Sequence, residues 1–214
     1  MKRYGTGRNA TGMVQLALFT ALILVMASVP FLGYIPLGFT RATIIHIPVI
    51  LGSVLLGPKK GAFLGGVFGF TSLLSNTFTP VATSFVFSPF YTLGDTKGNL
   101  ASLVICFVPR ILVGVVPYYV FRLLQKLPGA KGQTLALGAA GFAGALTNTL
   151  LVMHLILLFF GKSYGAAKGV AADAVYPLIL SVIGINGVPE ALVATLLTIL
   201  IGRPLLGILS RRSH

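Results

Sequence analysis

Arg110 stands inside the apolar run ICFVPRILVGVV, directly after Pro109. At such a depth in hydrocarbon a guanidinium costs about 3 kcal/mol unless an acid, backbone carbonyls, water or an anionic ligand meets it. Two chemistries fit. Arg110 can form an ion pair with Glu190, one of only three acids in the chain beside Asp95 and Asp173, or it can present its planar fork to a ligand carboxylate. Asn76, Thr147, Asn148, Thr149 and Asn186 supply uncharged donors and acceptors from separate segments. Each serves either as a helix cap or interhelical hydrogen bond, or as one wall of a shared cavity. Tyr91 lies in a loop rich in Phe, Ser and Thr. Arg41 and His46 flank one end of an apolar run: Arg41 adds a positive charge at a rim or snorkels to the interface, and His46 is a support for the site or a structural hydrogen-bonded histidine.

The chemistry that is missing narrows the function. Gly161-Lys162-Ser163 resembles the end of a phosphate-binding loop, but Ile156 occupies the place of the required leading glycine. No paired carboxylates support metal-assisted phosphoryl transfer, and no nucleophile stands beside a base. His154 lies on an apolar stretch with no His, Cys or acid near it in sequence, and Cys106 is the lone cysteine, so neither a metal site nor a disulfide frame is expected. The sequence therefore predicts no enzyme, no metal and no cofactor.

The elements that must hold these residues are membrane helices. The 214 residues are 56% hydrophobic and 9% charged, with a mean hydropathy of +0.95, whereas soluble domains carry roughly 25% charged residues. The expected fold is an all-α integral membrane protein, a single domain over 1–214, with spans near 12–32, 42–56, 61–75, 99–126, 134–160 and 188–209. Pro48, Pro109 and Pro189 mark kinks or starts. The net charge of +13 is a matter of topology. Lys2, Arg3, Arg8, Lys59, Lys60, Arg122, Lys126, Lys131, Arg203, Arg211 and Arg212 fall on one side of these six spans; Arg41, Lys97, Lys162 and Lys168 fall on the other. By the positive-inside rule the first group is cytoplasmic, which puts both termini in the cytoplasm of a multi-pass cell-membrane protein and excludes nucleic acid as the partner. The N-terminal apolar stretch reads as an uncleaved first helix, since no small-residue cleavage site follows it.

Loops divide unequally. The inner connections are tight, as at Gly57-Pro58-Lys59-Lys60. The outer ones, about 33–41, 76–98 and 161–187, are long enough to carry function. The second reads NTFTPVATSFVFSPFYTLGDTKGN, either aromatic anchors at headgroup depth or a lid over a pocket. In the third, Tyr176–Ile185 is apolar but short, suited to a surface-lying or re-entrant helix before a last span that begins at Pro189, with Glu190 in its first turn. Small residues recur at packing distance: Gly61, Gly65 and Gly69; Ala136, Ala140 and Gly144; and Ala17 with Ala21 on the first helix.

Taken together, PLGFTRATIIHIPVILGSVLLGPKKGAFLGGVFGFTSLLSNTFTP, TSFVFSPFYTLGDTKGN, VPRILVGVVPYYVFRLL, LTNTLLVM and NGVPEAL resemble the substrate-binding S component of an energy-coupling factor vitamin transporter, closest to the pantothenate-type members. The likeness covers nearly the whole chain. It implies a high-affinity binding subunit, loaded from outside and closed by outer loops, that assembles with a membrane coupling subunit and two cytoplasmic ATPases. In the family an Ala-x-x-x-Ala motif on the first helix meets the coupling subunit, and Ala17 and Ala21 match it. Pantothenate carries a carboxylate, hydroxyls and an amide, for which Arg110 and the Asn and Thr groups are suited; folate or biotin are the alternative anionic vitamins. An autonomous secondary carrier or channel is the alternative of another class, less favoured because no inverted repeat of broken helices is visible.

Overall fold

The computed structural model describes residues 6–29, 33–37, 40–126 and 130–211. Lys2, Arg3 and Arg212 lie outside the described residues, as do the side chains of Arg8, Arg41, Lys131 and Arg211. Helix α1 (Thr6–Ser28) leads to a two-stranded antiparallel hairpin, β1 (Tyr34–Leu37) and β2 (Thr40–Thr43), in which Tyr34 faces Thr43 and Leu37 faces Thr40. Helices α2 (His46–Leu56) and α3 (Pro58–Phe78) follow, joined at Gly57. Gly57 takes φ +93°, a region open to glycine, and Pro58 opens α3 where its missing N–H would have no helical partner.

After α3 the chain forms a 3-10 turn at Ser84–Val86 and a second short hairpin, β3 (Thr92–Leu93) with β4 (Thr96–Lys97). Helix α4 (Leu100–Val113) starts on a capping box: Asn99 accepts from the Ala101 N–H at 2.8 Å, and Ser102 accepts from the Asn99 N–H at 3.1 Å. Helix α5 (Val116–Leu124) continues it after a break at Gly114-Val115. The long α6 (Ala130–Ala167) is followed by a 3-10 turn at Ala172–Ala174, α7 (Val175–Val182), a π turn at Ile183–Gly187 and α8 (Val188–Arg211).

Three expectations change. The bundle is not purely helical: the second hairpin sits in an expected outer loop, and the first runs from one to Thr43, so the span expected from 42 starts as a helix only at His46. The third outer loop shrinks, since α6 runs on to Ala167 and leaves only residues 168–171 before the next helical turn. And the last helix, which starts at Val188, one residue before Pro189, is not a separate element: the π turn joins it to α7, so residues 172–208 form one apolar helical segment of 37 residues. The π turn is the physical reason, because it rearranges the hydrogen-bond ladder just where Pro189 withholds an N–H.

Among the described residues, length and hydropathy qualify four helical segments to cross a membrane: Ala10–Ser28, Leu100–Leu124, Gly132–Ala167 and Ala172–Ile208. Helix α2 is a shorter apolar helix of 11 residues, and α3 has 21. Large apolar side chains such as Leu18, Leu123, Leu158 and Leu192 point outward, as lipid-facing positions do. Inside, the glycine stripe of α3 seats α4 against it. A Cβ on Gly61 would strike the Gly114 carbonyl, one on Gly65 the Arg110 carbonyl, and one on Gly69 the Phe107 ring. Small residues thus let the two backbones meet, which is the use such stripes have in bilayers.

Candidate functional site

The close seating of α3 on α4 fixes the position of Arg110. Pro109 has no N–H to give the Ile105 carbonyl, the acceptor four residues back that a regular helix would satisfy. The side chain of Arg110 takes that place: its Nη1 donates to the Ile105 oxygen at 2.8 Å. The guanidinium then lies over two rings, 5.5 Å from the centroid of Phe68 and 5.1 Å from that of Phe87, within the range of cation–π attraction. It is 6% exposed. A buried cation is thus held by backbone oxygen and ring faces in a fixed orientation.

Arg110 lines a cavity with about 110 Å³ of room for the centres of water-sized molecules. Asn76, Asn148, Asn186 and Glu190 line it too, so five of the eight expected binding residues converge, from α3, α4, α6, the π turn and α8. The π turn contributes directly. Val182, Asn186 and Glu190 all reach the wall across the region where the helix changes its winding. Gly187 packs against Thr149 there, holding the turn close to α6.

The polar atoms of the wall divide into structural and available ones. Asn76 donates to the Ser72 carbonyl at 2.8 Å and accepts from the Ser84 hydroxyl at 2.8 Å, tying α3 to the cap. Glu190 Oε1 accepts the Thr43 N–H at 3.0 Å and so fastens the end of the first hairpin to α8. The Arg110 charge acts on Glu190 through space, yet each also has a backbone partner of its own. Asn148 is different. Its side chain is 7% exposed, and its Oδ1 is buried with no donor among the described residues. An acceptor in that condition costs about 1–3 kcal/mol unless something in the cavity donates to it.

The connection between α3 and α4 is the roof. Phe85 and Val86 are fully buried and pack with Ile105, Val152, Ile156 and Phe160. Ser102 donates to the Phe85 carbonyl at 2.7 Å, and Ser88 shares a 2.7 Å bond with Thr77. Val81, Thr83 and Phe87 of this segment face the cavity. Of the two readings of the loop, packed cover describes it better than a set of interfacial anchors, although Phe90 remains 76% exposed.

The other expected residues lie elsewhere. Tyr91 packs at the edge of the cluster around Phe85 and is not in the cavity wall. His46 is 1% exposed at the start of α2, also outside the wall. Arg41 belongs to β2, and its side chain is outside the described residues. Thr149 joins the wall, whereas Thr147 turns back to the Ala143 carbonyl at 2.7 Å. Thr43, Ser72, Thr83, Phe87 and Tyr164 were not singled out from sequence, yet they line the cavity too, as do Val152, Met153 and Ile156. His154 is bonded to the Leu150 carbonyl on its own helix at 2.7 Å. Ala17 and Ala21 are exposed on α1, on the same outward surface as Leu18 and Leu22.

An apolar helical bundle that encloses a charged, amide-lined cavity under an ordered cover is a membrane-embedded binding protein for a small polar molecule. Residues 12–202 match the family described as "ECF transporter, substrate-specific component". The pantothenic acid transporter PanT of Lactococcus lactis subsp. cremoris is 37% identical over 187 residues, covering 87% of this chain and 84% of the relative. The pantothenate transporter PanT of Leuconostoc mesenteroides is 30% identical over 208 residues, covering 93% and 94%. Among solved structures, the S-component for biotin from an ECF-type ABC transporter shares the fold at a TM-score of 0.52 and 15% identity, over 94% of this chain and 95% of that one. The chain belongs to the family of ECF-transporter substrate-specific components and is a multi-pass membrane protein.

Proposed function

We propose that this chain is the pantothenate-binding subunit of an ATP-driven energy-coupling factor importer. Both relatives named above are pantothenate transporters by name, and the cavity chemistry agrees with that ligand. Arg110 meets the carboxylate; Asn148 Oδ1 accepts from a hydroxyl or the amide N–H; Asn76 and Asn186 complete the polar wall, and Glu190 secures the hairpin beside it. The buried Arg110 in a cavity with an unmatched acceptor is the observation that carries the reading. Biotin and folate share the carboxylate, but folate's fused rings and length would require the cover to move away.

In this reading the protein crosses the membrane six times, with α2 and α3 as spans beside the four segments named above, and both termini are cytoplasmic. Lys60 lies beside Gly12 of α1, which supports one shared basic end, and the cavity, walled by Thr43 of the first hairpin and by Val81, Thr83 and Phe87 of the cover, then opens outward. ATP hydrolysis resides in two cytoplasmic ATPases, linked through a membrane coupling subunit that contacts the Ala17–Ala21 face of α1. The test is mass spectrometry of small molecules that copurify with the chain from cells. Pantothenate at near one equivalent is expected; biotin or folate in its place would overturn the substrate assignment.

A further inference from the structure

We infer that Pro109 is a positioning residue for the ligand carboxylate, acting through Arg110. This rests on the reading of the cavity as a pantothenate site and adds to it the element that aims the guanidinium. Proline inside a transmembrane helix is commonly read as a kink, and Gly114-Val115 just beyond does break the segment into α4 and α5. The geometry at residue 109 does something more local. The Ile105 carbonyl, deprived of its helical donor, receives Arg110 Nη1 at 2.8 Å. That bond ties one arm of the fork to its own helix. It fixes the side-chain torsions, so the fork takes one direction rather than many.

Three further contacts make the arrangement a clamp. Phe68 from α3 and Phe87 from the cover hold the guanidinium at 5.5 and 5.1 Å. Gly65 lies against the Arg110 carbonyl with no room for a Cβ, so the backbones of α3 and α4 meet at this position. With a backbone N–H restored at 109, the Ile105 oxygen would bond along the helix axis, and Arg110 would have to share it or swing away. A long arginine side chain loses substantial rotamer freedom on being fixed; here that ordering is complete before the ligand arrives, which is how preorganisation favours binding.

The experiment uses the full-length protein in lipid nanodiscs and titrates two ligands: pantothenate, and its alcohol analogue in which CH₂OH replaces the carboxylate. Pro109→Ala is expected to weaken pantothenate binding at least tenfold and the alcohol less than twofold. In an Arg110→Ala background, Pro109→Ala should change pantothenate binding less than twofold. A merely structural proline would weaken both ligands equally and add to the loss from Arg110→Ala, and that pattern would overturn the inference. Pro109→Gly restores the same N–H with a more permissive backbone and is read the same way if the alanine variant does not fold. If the wild-type protein binds neither ligand, the pantothenate reading fails; if it binds pantothenate and only the ligand selectivity of the Pro109 variants is absent, the inference alone fails.

Discussion

Replacing Arg110 by alanine removes the one cation among the described residues of the cavity wall and exposes how much of the affinity depends on charge. The guanidinium is 6% exposed and already oriented by Ile105, Phe68 and Phe87. A ligand carboxylate meeting it gains charge-assisted hydrogen bonds worth about 1.5–3 kcal/mol each, with little ordering left to offset them. Truncating one partner of a buried charged pair costs about 2–5 kcal/mol. A loss of about 3 kcal/mol corresponds to more than a hundredfold in Kd. Isothermal titration of pantothenate into the variant, with the melting temperature of both proteins measured in the same detergent, reads the effect. The alcohol analogue should bind both proteins within a few fold. A variant that folds normally and binds pantothenate within threefold of wild type would refute the assignment of Arg110.

The remaining predictions address the cover, the packing and the partner face. Ser84→Ala breaks the tie from the cover to Asn76 and the hydroxyl that accepts the Val81 N–H at 2.9 Å; at about 1 kcal/mol it should speed pantothenate release roughly fivefold in a stopped-flow chase, and an unchanged rate would mean that this segment does not gate the ligand. Gly65→Ala forces α3 away from the Arg110 carbonyl, so thermal unfolding should show a loss of about 1–3 kcal/mol, and binding should weaken as well. Ala17→Leu with Ala21→Leu enlarges an exposed face of α1; vitamin binding by the isolated chain should be unchanged while uptake by cells that carry the ATPase module is lost. Uptake at the normal rate would remove α1 from the coupling interface.

Much of this arrangement was legible because lipid makes polar residues conspicuous. Arg110, Asn76, Asn148, Asn186 and Glu190 stand out in apolar runs, and all five reach one cavity. Serine, threonine and aromatic positions were harder to separate. A hydroxyl in a membrane helix can satisfy itself on a carbonyl one turn back, as Thr147 does, so Ser72 and Thr149 look no different from it in sequence. Phe87 and Phe85 look like interfacial anchors until packing shows one facing the cavity and the other buried in the core. The join of α7 to α8 misled for a related reason: Gly187-Val188-Pro189 has the composition of a helix start, and only a π turn lets the helix pass through it. The role of the Ile105 carbonyl follows from Pro109 alone in principle, but nothing in the sequence says which donor will reach it.

The central claim is that the cavity under the cover is a pantothenate site. Equilibrium titration of the purified wild-type chain with pantothenate, biotin and folate in parallel tests it most directly. The account predicts saturable one-to-one binding of pantothenate, with biotin and folate at least a hundredfold weaker. Tight binding of biotin or folate with no measurable binding of pantothenate would contradict it.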